Sequence, residues 1–100
     1  MKINIQFVNM STSETMEAYT EKKLASLVKK FDKILNANVF FKKENDSKDK
    51  GMICEIELSV PGPRLFASSN EKNYELAVKN TISDLEIQLK KRKGIVKPYL

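Results

Sequence analysis

Lys90, Lys91, Arg92 and Lys93 follow one another with no acid among them, directly after a stretch in which Leu85, Gln88 and Leu89 keep the spacing of a helix that buries one face. The chemistry such a run offers is the neutralisation of phosphates. Clustered Lys and Arg side chains displace condensed counterions from a polyanion, and the released ions drive binding. The chain carries 18 basic and 13 acidic residues and a net charge of +5. The four adjacent cations and Lys97 account for the whole surplus, so the imbalance sits at one end of the sequence. A solubilising tail is the plainer reading of the same run.

Other chemistry finds little support. With no histidine, the commonest general base is missing. The one cysteine, Cys54, cannot form an internal disulfide, and its place in an alternating apolar run makes it a core residue before it is a nucleophile. Glu55 and Glu57 share a strand face and look like a carboxylate pair, but an exposed sheet face explains them better. The acids of "ENDSKDK" lack the spacing of a calcium loop, and the three glycines, Gly51, Gly62 and Gly94, are too scattered for a phosphate loop. No enzyme, cofactor, metal or small-molecule substrate is expected. No apolar run approaches the roughly 20 residues that span a bilayer, and the N-terminus is a poor signal peptide, so no membrane association is expected and the cytoplasm is the expected compartment.

The elements that must position the cations can be read from periodicity. "KINIQFV" alternates, with Ile3, Ile5 and Phe7 on one side of a half-buried strand. Ser11 with Glu14 has capping-box spacing, and Ser13 offers a cap one step later. A helix is expected from there to about Leu35, lined by Met16, Tyr19, Leu24, Leu27, Val28, Phe31, Ile34 and Leu35. Lys22, Lys29 and Lys33 fall on another side of it, and Lys23 and Lys30 form a second short row. Glu14, Glu17 and Glu21 crowd its first turns and the lysines its last, a polarity that also suits the helix dipole. Asn36 and Asn38 mark a turn before a strand, "NVFFKKE", with Val39 and Phe41 inward and Phe40 and Lys42 outward. The polar "ENDSKDKG" reads as a hairpin loop. In "MICEIELSV", Met52, Cys54, Ile56, Leu58 and Val60 take one face. "PGP" forces a turn. "RLFASS" is a short fourth strand with Leu65 and Ala67 inward. Asn70 is the expected cap of a second helix from about Glu71 to Lys93, with Tyr74, Ala77, Val78, Thr81, Ile82, Leu85 and Leu89 buried. Lys72, Lys79, Lys90 and Lys93 lie within one arc of it, and Gly94 is expected to stop it, leaving residues 94–100 as a short tail.

The order is β-α-β-β-β-α. It predicts an α+β domain over residues 1–100, a four-stranded sheet with both helices packed on one face, their outer surfaces forming a shared platform for lysines.

"VPGPRLFASSNEKNYELAVKNTISDLEIQLKKRK" resembles the last strands and second helix of the ribosome hibernation-promoting factor family. The resembling features are Ala67-Ser68 at a strand end, a capped helix, and Gln88-Leu89-Lys90-Lys91-Arg92-Lys93. In the first half they are the strand from residue 2 and a helix closing on Phe31-Asp32-Lys33. The resemblance implies a dsRNA-binding-domain-like fold. It implies binding to the small ribosomal subunit, through ribosomal RNA, in the channel between head and body. There the protein would overlap the messenger and transfer RNA sites at the decoding centre and inhibit translation in idle cells by occlusion. By that similarity Lys23, Lys33, Lys91 and Lys93 match positions usually basic in the family. Lys22, Lys29, Lys30, Lys79, Lys90 and Arg92 are added from the helical arcs. Ser26, Ile87 and Lys79 depart from the family pattern, at positions where a lysine, an arginine and an acid are usual. The resemblance also implies that the ribosome-dimerising C-terminal domain of long members is absent, and that a small ribosome-dimerising protein is a partner of one kind of short member. Two other readings compete: a generic double-stranded RNA-binding module, and a protein-interaction adapter using an open sheet face with Phe40, Phe66 and Glu57.

Overall fold

A computed structural model describes residues 1–45 and 50–96, with side chains through Arg92. The hairpin-loop expectation for 46–49 and the tail expectation for 97–100 lie outside the described residues. The elements are β1 (Lys2–Phe7), α1 (Glu14–Lys30), β2 (Asn36–Lys43), β3 (Met52–Ser59), β4 (Leu65–Glu71) and α2 (Tyr74–Val96). One sheet holds the strands in the order β1-β2-β3-β4. β1 and β2 run parallel, and the remaining pairs are antiparallel. A parallel pair cannot be closed by a tight turn, and α1 supplies the crossover.

The register sets three inward rows across the sheet. Ile3, Ala37, Leu58 and Leu65 form one. Ile5, Val39, Ile56 and Ala67 form the next, and Phe7, Phe41 and Cys54 the third. Leu24 and Leu27 of α1 and Ala77, Val78, Ile82, Leu85 and Leu89 of α2 join these strand residues in one buried cluster, which places both helices on one sheet face. Phe41 is the largest fully buried side chain. Its ring stacks on Phe7 at 4.9 Å and meets Tyr74 edge-on at 5.4 Å. Tyr74 Oη donates to the Lys42 carbonyl at 2.8 Å, pinning the start of α2 to β2. Two threonines go inside because their hydroxyls find backbone carbonyls. Thr20 donates to Met16 O, and Thr81 has both Ala77 O and Cys54 O within hydrogen-bond range.

Several expected boundaries move. Ser13 caps α1, its hydroxyl accepting from Met16 N, and α1 stops at Lys30 instead of near Leu35. Phe31 is already extended there. The reason is the sheet: Leu35 N donates to Ser59 O at 2.8 Å, and Lys2 N donates to Leu35 O. Those bonds commit residue 35 to the β-layer, so Ile34 is buried from a turn and Leu35 is 60% exposed. Asn36 and Asn38 belong to β2 and not to a turn, and Asn38 bridges Asn4 and Glu57 on the open face. Asn70 belongs to β4; its side chain accepts from Gly51 N and donates to Glu44, closing the β2–β3 hairpin. Gly51 stands at φ +123°, and a Cβ there would strike the Glu44 carbonyl. The cap of α2 is Asn73, whose side chain accepts from Leu76 N at 2.8 Å. Gly94 does not end α2, which continues to Val96. A glycine inside a helix costs only about 1 kcal/mol relative to alanine, and a neighbouring turn can absorb it.

Candidate nucleic-acid interface

The two helices run parallel. Tyr19 Oη donates to Glu75 O at 3.5 Å near their starts, and Lys30 pairs with Glu86 at 3.2 Å eleven residues on. Both contacts join positions 56 apart in sequence, so each residue of α1 is level with the α2 residue 56 further on. Lys23 is therefore level with Lys79. α1 ends opposite Glu86, and residues 87–96 of α2 extend beyond it by ~15 Å.

That register sorts the expected cations. Thr20, Leu24 and Leu27 mark the buried side of α1. Lys23 and Lys30 lie on its flank toward α2; Lys22 and Lys29 are exposed further out. On α2, Lys79, Glu86 and Lys90 share the flank toward α1. Lys23, Lys30, Lys79 and Lys90 thus line the seam between the helices, and Lys22 and Lys29 stand beside it. Lys23 Nζ lies 5.5 Å from the centre of the Tyr19 ring, a cation–π contact that holds it at the seam.

Lys33 is not on α1. It sits exposed in the turn after the helix, at the same end of the molecule as the α2 extension. Lys91 is exposed on the side of α2 away from α1. Arg92 turns under the helix: its Nη1 donates to Pro61 O at 3.3 Å in the β3–β4 turn. Lys93 lies in α2, but its side chain is outside the described residues. So the structure collects the cations of the seam and of one end, and sends Arg92 to the sheet side.

Glu86 has no signal of a site in the sequence pattern, and Gln88, whose place in the helix is legible, makes a contact that is not. Glu86 Oε2 lies 3.2 Å from Lys30 Nζ and 3.5 Å from Lys90 Nζ. The hydrogen bond from Lys30 is the main reason its carboxyl is held below the usual range; Lys90 adds to this, and partial burial opposes it. The i,i+4 spacing to Lys90 was legible; the bridge to Lys30 needs the tertiary register. Gln88 Nε2 donates to Phe66 O at 2.9 Å, and a second bond to Asp84 steadies it. The bond to Phe66 occupies one backbone acceptor of β4, which is an edge strand, and ties α2 to it.

The residues considered for catalysis fall elsewhere. Cys54 is fully buried, and burial pushes its thiol up to about 12. Glu55 and Glu57 lie on the open sheet face, paired with Lys42 at 3.0 Å and Arg64 at 3.3 Å. No helix among the described residues is long and apolar enough to cross a membrane.

A family model described as Sigma 54 modulation protein / S30EA ribosomal protein matches residues 3–97. The chain belongs to that family. It is 29% identical over 93 residues to a ribosome hibernation promoting factor of Pseudomonas putida, covering 93% of this chain and 87% of the relative. Among solved structures, a ribosomal subunit interface protein from Coxiella burnetii superposes with a TM-score of 0.81 at 26% identity, over 94% of this chain and 99% of that one. The Protein Y N-terminal domain of Thermus thermophilus gives 0.78 at 26% identity, over 91% and 98%. The S30EA fold of this chain is thus the expected α+β sheet with two helices, and the expected family holds.

Proposed function

We propose that this chain is a ribosome hibernation factor. It docks the outer face of α1 and α2 on ribosomal RNA of the small subunit near the decoding centre, occludes the messenger and transfer RNA sites, and inhibits translation in idle cells. The reading rests on family membership and on one structural observation: parallel helices bring Lys23, Lys30, Lys79 and Lys90 into a single seam flanked by Lys22 and Lys29. Lys33 extends the same cationic surface toward the end where α2 outruns α1, Lys91 adds charge on the far side of that extension, and Lys93 is assigned to RNA binding from the sequence run alone. Arg92 acts mainly by bracing that extension against Pro61. The protein makes and breaks no bond; its action is steric and electrostatic, in the cytoplasm where ribosomes work. A small ribosome-dimerising protein is a further partner in this reading.

Sedimentation with purified small subunits over a salt series tests it, together with translation in a purified system. Co-sedimentation at low salt, loss of binding as salt rises, and blocked initiation are expected. Unimpaired initiation at low salt with saturating protein would overturn the proposal. Equal affinity for any long RNA duplex would point instead to a generic duplex-binding module. An undiminished partner complex after Lys90, Lys91, Arg92 and Lys93 are all replaced by Gln would point to an adapter working through Phe40, Phe66 and Glu57.

A further inference from the structure

Glu86 puts an anion where the proposed surface needs cations. A single oxygen, Oε2, serves Lys30 from α1 and Lys90 from α2. The Glu86 side chain is 24% exposed, against 60% and 66% for the two lysines, so the carboxylate is recessed and the ammonium groups face water. Ion pairs this exposed contribute little to folding. For an arriving polyanion the consequence is larger. A phosphate that reaches Lys30 or Lys90 meets cations already partly neutralised, and it meets their carboxylate at close range.

We infer that Glu86 is a specificity-determining residue: it weakens binding to arbitrary single-stranded polyanions while leaving binding to a matching folded RNA surface nearly intact. This rests on the ribosomal RNA reading given above. A flexible strand can settle anywhere on the seam, including the Lys30–Lys90 pair, and there it feels the repulsion in full. A rigid RNA surface gains from Lys22, Lys23, Lys29 and Lys79 together. By the helix register Lys22, Lys23 and Lys79 lie seven or eight residues along the axis from Glu86, roughly 10 Å or more, beyond the Debye length of about 8 Å at physiological salt, so those contacts are largely screened from it. Discrimination is a difference of two affinities, and a built-in repulsive element enlarges it.

The test compares wild type with Glu86→Gln, and with Glu86→Ala as a second variant, binding to poly(U) and to purified small ribosomal subunits at physiological salt, with a salt series for poly(U). Thermal unfolding confirms that each variant is folded. Removing one unit charge about 4 Å from the bound phosphate predicts about three- to tenfold tighter poly(U) binding. Small-subunit affinity should change less than twofold, and the log–log salt slope for poly(U) should steepen. Unchanged poly(U) affinity, or an equal gain for both ligands, overturns the inference. A wild-type protein that binds poly(U) but not small subunits overturns the ribosomal reading instead.

Discussion

Replacing Lys23 and Lys79 together with Gln probes the helix seam where its cations are least encumbered. The two are level across the helices, and neither forms an ion pair among the described residues, whereas Lys30 and Lys90 share Glu86. Each lysine that neutralises a phosphate contributes about 0.7 to 0.9 to the slope of log K against log salt, so losing both should flatten that slope by about 1.4 to 1.8. If the non-electrostatic part is unaltered, affinity at 0.1 M salt falls about 25- to 60-fold, or roughly 2 kcal/mol. The assay is equilibrium binding to purified small subunits from low to moderate salt. Its control is Lys43→Gln with Lys50→Gln, two exposed lysines at the hairpin end, opposite the α2 extension. That pair removes the same net charge and should shift the slope by much less. Equal slope changes for the two pairs would refute a localised cationic seam and leave only the attraction of overall charge.

Three further outcomes follow from the same packing. Phe41→Ala, which empties the site between Phe7 and Tyr74, should destabilise the fold by about 3 to 5 kcal/mol, measured by chemical denaturation. Cys54 should resist thiol reagents at neutral pH in the folded protein and react at once in denaturant, because burial holds its thiol protonated up to about 12. The carboxyl of Glu86 is held below its ordinary value, so its stabilisation is present above the unfolded carboxylate pKa and fades as pH falls through the folded one. The stability difference between wild type and Glu86→Gln, followed by thermal unfolding, should accordingly shrink in acid; a difference that grows there would refute the Lys30–Glu86–Lys90 bridge.

Alternation and helical spacing carried most of the architecture into the sequence. The inward parity of Ile3, Val39, Ile56 and Ala67, and the buried stripe from Tyr74 to Leu89, are local patterns that burial simply enforces. What failed to show was tertiary in origin. Ile34 and Leu35 continue the helical period of α1, but backbone bonds from Lys2 and to Ser59 take that segment for the sheet. Asn70 and Asn73 are equally plausible caps by type, and the pairing of β4 with β3 out to Glu71 decides between them. For the candidate site, the cationic residues were legible as residues, but not their grouping. Nothing local reveals that the helices are parallel, that Lys23 is level with Lys79, or that Arg92 faces Pro61.

The run of cations after Leu89 has a physical basis in that geometry. α1 ends level with Glu86, and Leu89 is the last buried residue described on α2. The next two residues, Lys90 and Lys91, are exposed, so apolar side chains at those positions would face water. Carbonyls at a helix C-terminus carry partial negative charge, which favours Lys and Arg over acids in the last turns. Arg92 finds a carbonyl in the β3–β4 turn, a brace that the sheet provides only because Pro61 stands at that end. Lys90 and Lys91 then remain exposed on a helix held from below. Solubility alone would be served by cations anywhere on the surface; placing them on a supported helical extension beside the seam is what a docking surface for a rigid polyanion requires.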